Sequence, residues 1–308
     1  GGYISAAAQY IGTITQSAAS KIASAGGNVE VTIGDSGVGN GKTEIWTHGD
    51  GAWGVLAQSI SGGGGLIGDT SLNVQHAGPQ TPTSTNTTTD LSAQVVINVY
   101  DNSSIVTYGK NAHGVVMQSW SGGGGIFSGS QMRTDATLVM GEKSGGTNTR
   151  GGYSEADESS NALSLTVHSG SKIQVDGAQS IGVLAQSNVL PIDVTVIGTV
   201  QGGATSSEYA SSDGKTGIPG TGIMISGGGT QVDNQITIDK DGSLTTKDDA
   251  HYGYAIRTDF GTTNVKNEGT ITGSVDLGST PGTFTNESSG TLNKGAAYKV
   301  GNKSLHNH

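Results

Sequence analysis

One string recurs along this chain, and its spacing constrains the fold more than any other feature. Gly51-Ala52-Trp53-Gly54-Val55-Leu56-Ala57-Gln58-Ser59-Ile60-Ser61 precedes four glycines, Gly62 to Gly65. Sixty residues on, Asn111-Ala112-His113-Gly114-Val115-Val116-Met117-Gln118-Ser119-Trp120-Ser121 precedes Gly122 to Gly125. A third copy runs from Ala178 to Ser187 and a fourth from Ala8 to Ser17. Weaker copies begin at Gly222 (Gly-Ile-Met-Ile-Ser-Gly) and at Gly253 (Gly-Tyr-Ala-Ile-Arg-Thr). Internal repetition of this kind is the mark of a solenoid or array, in which each unit buries its apolar face only against its neighbours.

What precedes each copy completes the unit. Two short alternating runs stand before Gly54 (Val29 to Ile33, Glu44 to Thr47) and before Gly114 (Val95 to Val99, Ser104 to Thr107). The same holds before Gly182 (Leu163 to Val167, Lys172 to Val175) and before Gly253 (Gln235 to Ile238, Ser243 to Thr246). Alternation with period two marks half-buried strands, and the Gly, Asn, Asp and Ser residues between them supply tight corners. The expected fold is therefore all-β: a right-handed parallel β-helix of roughly 7 to 9 coils, with three strands per coil and one domain over residues 1–308. Long Gly/Thr-rich loop excursions are expected at about residues 62–90, 122–160 and 202–220, with short hairpins at Ser71 to Val74 and Ala136 to Val139.

Composition agrees with a thin core. Apolar residues are 32% of the chain and charged residues 13%, with 53 glycines and no cysteine. A compact globule carries more apolar residues, and a disordered chain carries more charge. The net charge of −10 argues against nucleic-acid or anionic-membrane partners. The absence of cysteine removes disulfides and thiolate zinc sites. In the repeated strand, either Val55, Ala57 and Ser59 or Leu56 and Gln58 face the core. Gln58, Gln118, Gln186 and Arg257 favour the first choice. Val55, Val115, Val183 and Ile223 are then an inner ladder. Leu56, Val116, Leu184 and Met224 become an apolar outer stripe, expected to be covered by the excursions.

The string Gly-x-x-Ala-x-Gly-Val-x-x-Gln-Ser-x-Ser-Gly-Gly-Gly-Gly resembles the repeat of autotransporter passenger domains, the type V secreted, pertactin-like β-helix family of proteobacteria. Val265-Lys266-Asn267-Glu268-Gly269-Thr270-Ile271-Thr272-Gly273-Ser274-Val275 and Phe284 to Asn293 are similar to the N-x-G-x-I-x-G-x-V coils of that family. Leu305-His306-Asn307-His308 resembles the start of a membrane-proximal coil. The resemblance implies a surface-displayed or secreted structural and adhesive stalk of a Gram-negative outer membrane, without enzymatic activity. It also implies a larger parent with a secretion signal and a membrane barrel. The implied partners are the chain itself or a host protein or glycan. The alternatives are a polysaccharide-active β-helix enzyme and a passive spacer.

Gly34-Asp35-Ser36-Gly37 matches a serine-protease string, but no His stands upstream of it. Gly37 to Thr43 approaches a phosphate-binding loop but has Ser36 where the first glycine belongs. The pairs Asp239/Asp241 and Asp248/Asp249 are possible oxygen ligands for calcium but read better as solvated corners. A glycosidase would need two opposed carboxylates, for which Asp176 and Asp259 are the candidates. His48, His113 and His251 are placed at or near one corner of successive coils. Trp46, Trp53, Trp120, Tyr108 and Tyr252 form a candidate aromatic track for carbohydrate or protein. No catalytic, cofactor or metal site is expected.

Overall fold

The computed structural model describes residues 2–4, 28–34, 42–60, 65–68, 94–100, 102–120, 125–128, 163–187, 190–204, 220–227, 232–247, 253–259, 261–278, 282–299 and 304–307. Its regular elements are all strands, and every strand pairing among them is parallel. The expected parallel β-solenoid is what the chain forms.

An eight-stranded sheet collects the first strand of each unit: Val29–Ile33, Val95–Val99, Leu163–Val167, Ile192–Val196, Asp233–Ile238, Thr262–Asn267, Gly282–Asn286 and Ser304–Asn307. A twelve-stranded sheet collects the rest. Along one arm run the second strands Glu44–Thr47, Ser104–Thr107, Lys172–Val175, Thr199–Gly202 and Ser243–Thr246. Along the other run the third strands Val55–Ile60, Val115–Trp120, Ile181–Ser187, Thr221–Gly227 and Tyr254–Thr258. The arms meet at Thr270–Asp276, which pairs with Ser243–Leu244 at one end and with Tyr254–Arg257 at the other. In the last two units the second and third strands are thus one continuous strand, here and in Thr291–Lys299. The join is at Gly273, whose φ of 133° lets the corner open and whose position coincides with a register shift.

The register gives each position of the repeat a physical role. Ile45, Ile105, Ile173, Val200, Leu244, Ile271 and Leu292 stack as one inward column from the second strands. Val31, Ile97, Leu165, Val194, Ile236, Val265 and Phe284 form another from the first strands. The predicted ladder Val55, Val115, Val183 and Ile223 closes the core from the third side and continues to Ile256 and Val275. Between them, Ala57, Met117, Ala185 and Ile225 also face inward. The weak copy at Gly253 sits two residues out of the frame its own glycine suggests, since Ile256 pairs with Ile223 and not with Ile225. A slip of two preserves the face, so Ile256 still points in and Arg257 stays half-buried on the other side.

At one corner the core turns polar. The column Ile33, Val99, Val167, Val196, Ile238 is continued by Asn267 and Asn286. Asn267 Nδ2 donates to Asn286 Oδ1 at 2.7 Å and to Thr291 O at 3.2 Å, and Asn286 Nδ2 donates to Gly290 O at 3.0 Å. The amides ladder between coils and tie down the following turn, which is the physical content of the Asn in the N-x-G coils.

Of the expected excursions, the first two each begin with a short strand, Gly65–Gly68 and Gly125–Ser128, which pair with each other, while Gly2–Ile4 pairs with the first. This three-stranded sheet was not foreseen. The third excursion starts later than expected. Gly202 ends a strand, and Ala204 bridges to Ala178. The remaining excursion residues, the two suggested hairpins and the copy at Ala8 to Ser17 lie outside the described residues.

The invariant glycine of the string is a spacing device. Gly54, Gly114, Gly182 and Gly222 stack in one column, and a Cβ on each would lie 2.6 Å from the carbonyl oxygen of the residue above it. None of the four has a positive φ, so the demand is for room rather than conformation. Gly114→Ala should lower stability by about 1–3 kcal/mol through forced backbone displacement. Urea unfolding followed by circular dichroism checks this. An unchanged midpoint would mean that the coils are not so closely stacked there.

Candidate functional site

With the interior filled by aliphatic columns, chemistry is confined to the outward columns. The eight-stranded sheet presents Thr32, Asn98, Thr166, Thr195, Thr237, Lys266 and Thr285 at equal positions of successive strands. Beside them run Glu30, Val96, Ser164, Asp193, Gln235, Asn264 and Thr283. All are exposed or half-buried. Neighbours hydrogen-bond across coils where their lengths allow, as in Thr283 Oγ1 to Asn264 Oδ1 at 2.9 Å. Lys266 pairs with Glu268 at 3.0 Å. This face is rich in hydroxyls and amides and low in charge.

The second strands present a different face. Its outward column is Trp46, Val106, Gln174, Gln201, Thr245, Thr272 and Asn293. The corner column beside it follows from the same register: His48, Tyr108, Asp176, Gly203 and Lys247. Trp46 and Tyr108 are 55% and 38% exposed and have ring centroids 6.3 Å apart, tilted by 55°. His48 stacks on Tyr108 at 4.7 Å, nearly parallel. Asp176 accepts from Gln174 Nε2 at 3.3 Å and from Gln201 Nε2 at 3.2 Å. Lys247 Nζ reaches Asp176 Oδ1 at 3.2 Å, passing Gly203, which has no side chain to stand between them. Aromatic rings thus lead into an amide and carboxylate cluster along the solenoid axis.

The third strands carry the apolar outer stripe. Leu56, Val116, Leu184 and Met224 cluster with Trp53 and Ile181, separately from the main core. Above them, Gln58 Nε2 donates to Gln118 Oε1 at 2.8 Å, Gln118 Nε2 to Gln186 Oε1 at 3.3 Å, and Gln186 Nε2 to Ser226 Oγ at 2.8 Å. These glutamines point away from the core, as expected, yet Gln118 and Gln186 are buried. The amide ladder therefore holds coils together and is not a free binding surface. The excursions expected to cover this stripe lie outside the described residues.

The remaining sequence candidates separate. His48 and His113 do not share a column: His48 aligns with Tyr108, whereas His113 aligns with Trp53 and Ile181. His113 is buried, stacks on Trp53 at 5.5 Å, and its Nδ1 accepts the Ile181 backbone N–H at 3.1 Å. Asp176 precedes a third strand, and Asp259 follows one two units further along. A strand of five residues spans about 17 Å, so the two carboxylates are not brought into an opposed pair. Burial pushes the Asp259 carboxyl above its ordinary value, against the opposing pull of Arg257. Asp239 stands in a corner column with Glu268 and Glu287. Among the described residues, however, no group of three or more His, Asp or Glu is placed to hold a metal ion. Also among them, no helix is long and apolar enough to cross a membrane. Asp35, Ser36, Gly37 to Gly41, Asp248, Asp249, His251, Tyr252 and the Trp120 side chain lie outside the described residues. The aromatic track thus reduces to Trp46 and Tyr108, with Trp53 in the apolar cluster. The stacking of His48 on Tyr108 and the Gln174 and Gln201 amides around Asp176 were not foreseen, because those contacts depend on registers offset by loops of unequal length.

Comparison with models of known families, with curated proteins and with solved structures finds no match.

His113 makes the fold acid-sensitive. Burial lowers its pKa to about 4, and a protonated Nδ1 cannot accept the Ile181 N–H. Because the folded pKa lies below the unfolded one, the unfolded chain takes the proton first as pH falls. Stability is full above about pH 6.5 and declines towards pH 4. Between pH 7 and pH 5, before most carboxylates titrate, the loss should be about 2 kcal/mol. His113→Gln should start less stable and flatten that slope. Thermal unfolding of both proteins across this range is the measurement, and equal slopes would remove His113 as the cause.

Proposed function

We propose that this chain is an extracellular stalk of the autotransporter passenger type, displayed on a Gram-negative surface and acting in adhesion and self-association. The observation that carries the reading is the outward face of the eight-stranded sheet. Thr32, Asn98, Thr166, Thr195 and Thr237 repeat hydroxyls and an amide over five successive coils, and Thr285 resumes the row after Lys266. A second copy laid along this face meets donors and acceptors at the same spacing, about 4.8 Å. Each net hydrogen bond contributes only about 1 kcal/mol. A long row of them acts multivalently, so association is weak per coil and firm per stalk. The low charge of the face supports close approach between copies that each carry −10 overall. The missing opposed carboxylate pair gives the polysaccharide-enzyme alternative no support from the described residues.

Cells displaying the chain on an outer-membrane barrel should settle from suspension faster than cells displaying the barrel alone. The triple variant Thr166→Glu, Thr195→Glu, Thr237→Glu should slow settling to near the barrel control, with folding monitored by circular dichroism of the purified chain. Settling equal to the control for the unsubstituted chain would refute self-association.

A further inference from the structure

We infer that the outward face of the second strands binds an uncharged, extended polysaccharide through Trp46 and Tyr108, with Gln174, Gln201 and Asp176 engaging its hydroxyls. This inference rests on the adhesive reading and names a ligand for it.

Trp46 and Tyr108 are the large apolar side chains that stand exposed among the described residues. They lie on consecutive coils, and His48 backs the Tyr108 ring. An aromatic face offers broad contact with little loss of side-chain freedom, and it suits the C–H face of a sugar ring. Next along the axis come two glutamine amides that hydrogen-bond Asp176; each amide has a second N–H, and each oxygen a second lone pair, to offer a sugar hydroxyl.

Charge decides among ligand classes. A polyanion needs uncompensated cations, but the chain carries a net charge of −10, and beside this face Lys42 pairs with Glu44 at 2.6 Å and Lys247 with Asp176 at 3.2 Å. A lipid or an apolar peptide needs a wide apolar patch, and here the rings give way at once to amides. A neutral polyhydroxyl chain fits both ends of the site. Spacing fits too. The coils rise by about 4.8 Å, and one sugar of an extended β-linked chain advances by nearly the same distance. A chain lying along the axis would set one sugar against Trp46, pass the edge of the Tyr108 ring, one face of which His48 covers, and bring the next sugars to the amides.

The test uses the purified full chain with cellohexaose, xylohexaose, mannohexaose and, as an anionic comparison, a heparin hexasaccharide. Binding is read by calorimetry and by tryptophan fluorescence. At least one neutral hexasaccharide should bind, with affinity insensitive to salt. Trp46→Ala and Tyr108→Ala should each weaken it at least tenfold, and Trp46→Phe should retain part of it. Circular dichroism and the unfolding midpoint of each variant exclude misfolding as the cause. Binding of none of the three, binding unchanged in both alanine variants, or preference for heparin that fades with salt would overturn the inference. Cell settling distinguishes the two readings. Settling that persists without sugar binding sinks only the glycan site, and sugar binding without settling sinks only self-association.

Discussion

A parallel strand leaves a row of N–H and C=O groups bare on each side, and only another strand at the same height can satisfy them all. In this chain the strand at the same height comes from the preceding or following coil. Backbone pairing therefore fixes each residue above its equivalent, and every side chain must tolerate its own position repeated about 4.8 Å away. The glycine column at Gly54, Gly114, Gly182 and Gly222 is the strictest case, because the oxygen above leaves no volume for a methyl group. The Gln58, Gln118 and Gln186 amides are the complementary case, since a side chain that both donates and accepts can pair with a copy of itself.

From this constraint the unusual composition follows. Each coil encloses a narrow interior that a few β-branched or small residues fill, so 32% apolar residues suffice. The surface is correspondingly large, and it divides into faces of distinct chemistry because columns run the length of the solenoid. Hydroxyls and amides occupy one face. A second grades from aromatic to polar, and a third is apolar and buried on its outer side. No disulfide is needed, since stability accumulates from neighbour to neighbour.

The inward ladder, the strand runs and the corners were legible because period two and the repeated string record them directly. The orientation of Val55 and Gln58 could be argued from which residue types tolerate each face, and the core cluster agrees. The offsets between coils were not legible. Equivalent positions lie 66, 68, 29, 42, 29, 19 and 21 residues apart along the first strands, and 60, 68, 40, 33 and 19 along the third strands. Without knowing those steps, His48 and His113 look like equivalents, and the meeting of Asp176 with Lys247 across Gly203 is invisible. The merging of the second and third strands at Gly273 was likewise hidden, because the glycine reads as an ordinary corner until its φ is known.

The unequal steps also separate the scaffold from its loops. Insertions at the corners leave the ladders intact, since Val95 to Val99 and Leu163 to Val167 pair residue for residue across a step of 68. Scaffold and loops are thus decoupled, and long loops cost little in closure entropy. Trp46, His48, Tyr100, Tyr108 and His168 belong to the first three units, whereas Tyr254, with Arg257 over its ring, belongs to the fifth. In the last units the equivalent positions hold Thr272, Asn293, Glu268 and Glu287. Surface chemistry thus varies from coil to coil, while the inward ladders stay aliphatic up to the Asn267 and Asn286 corner.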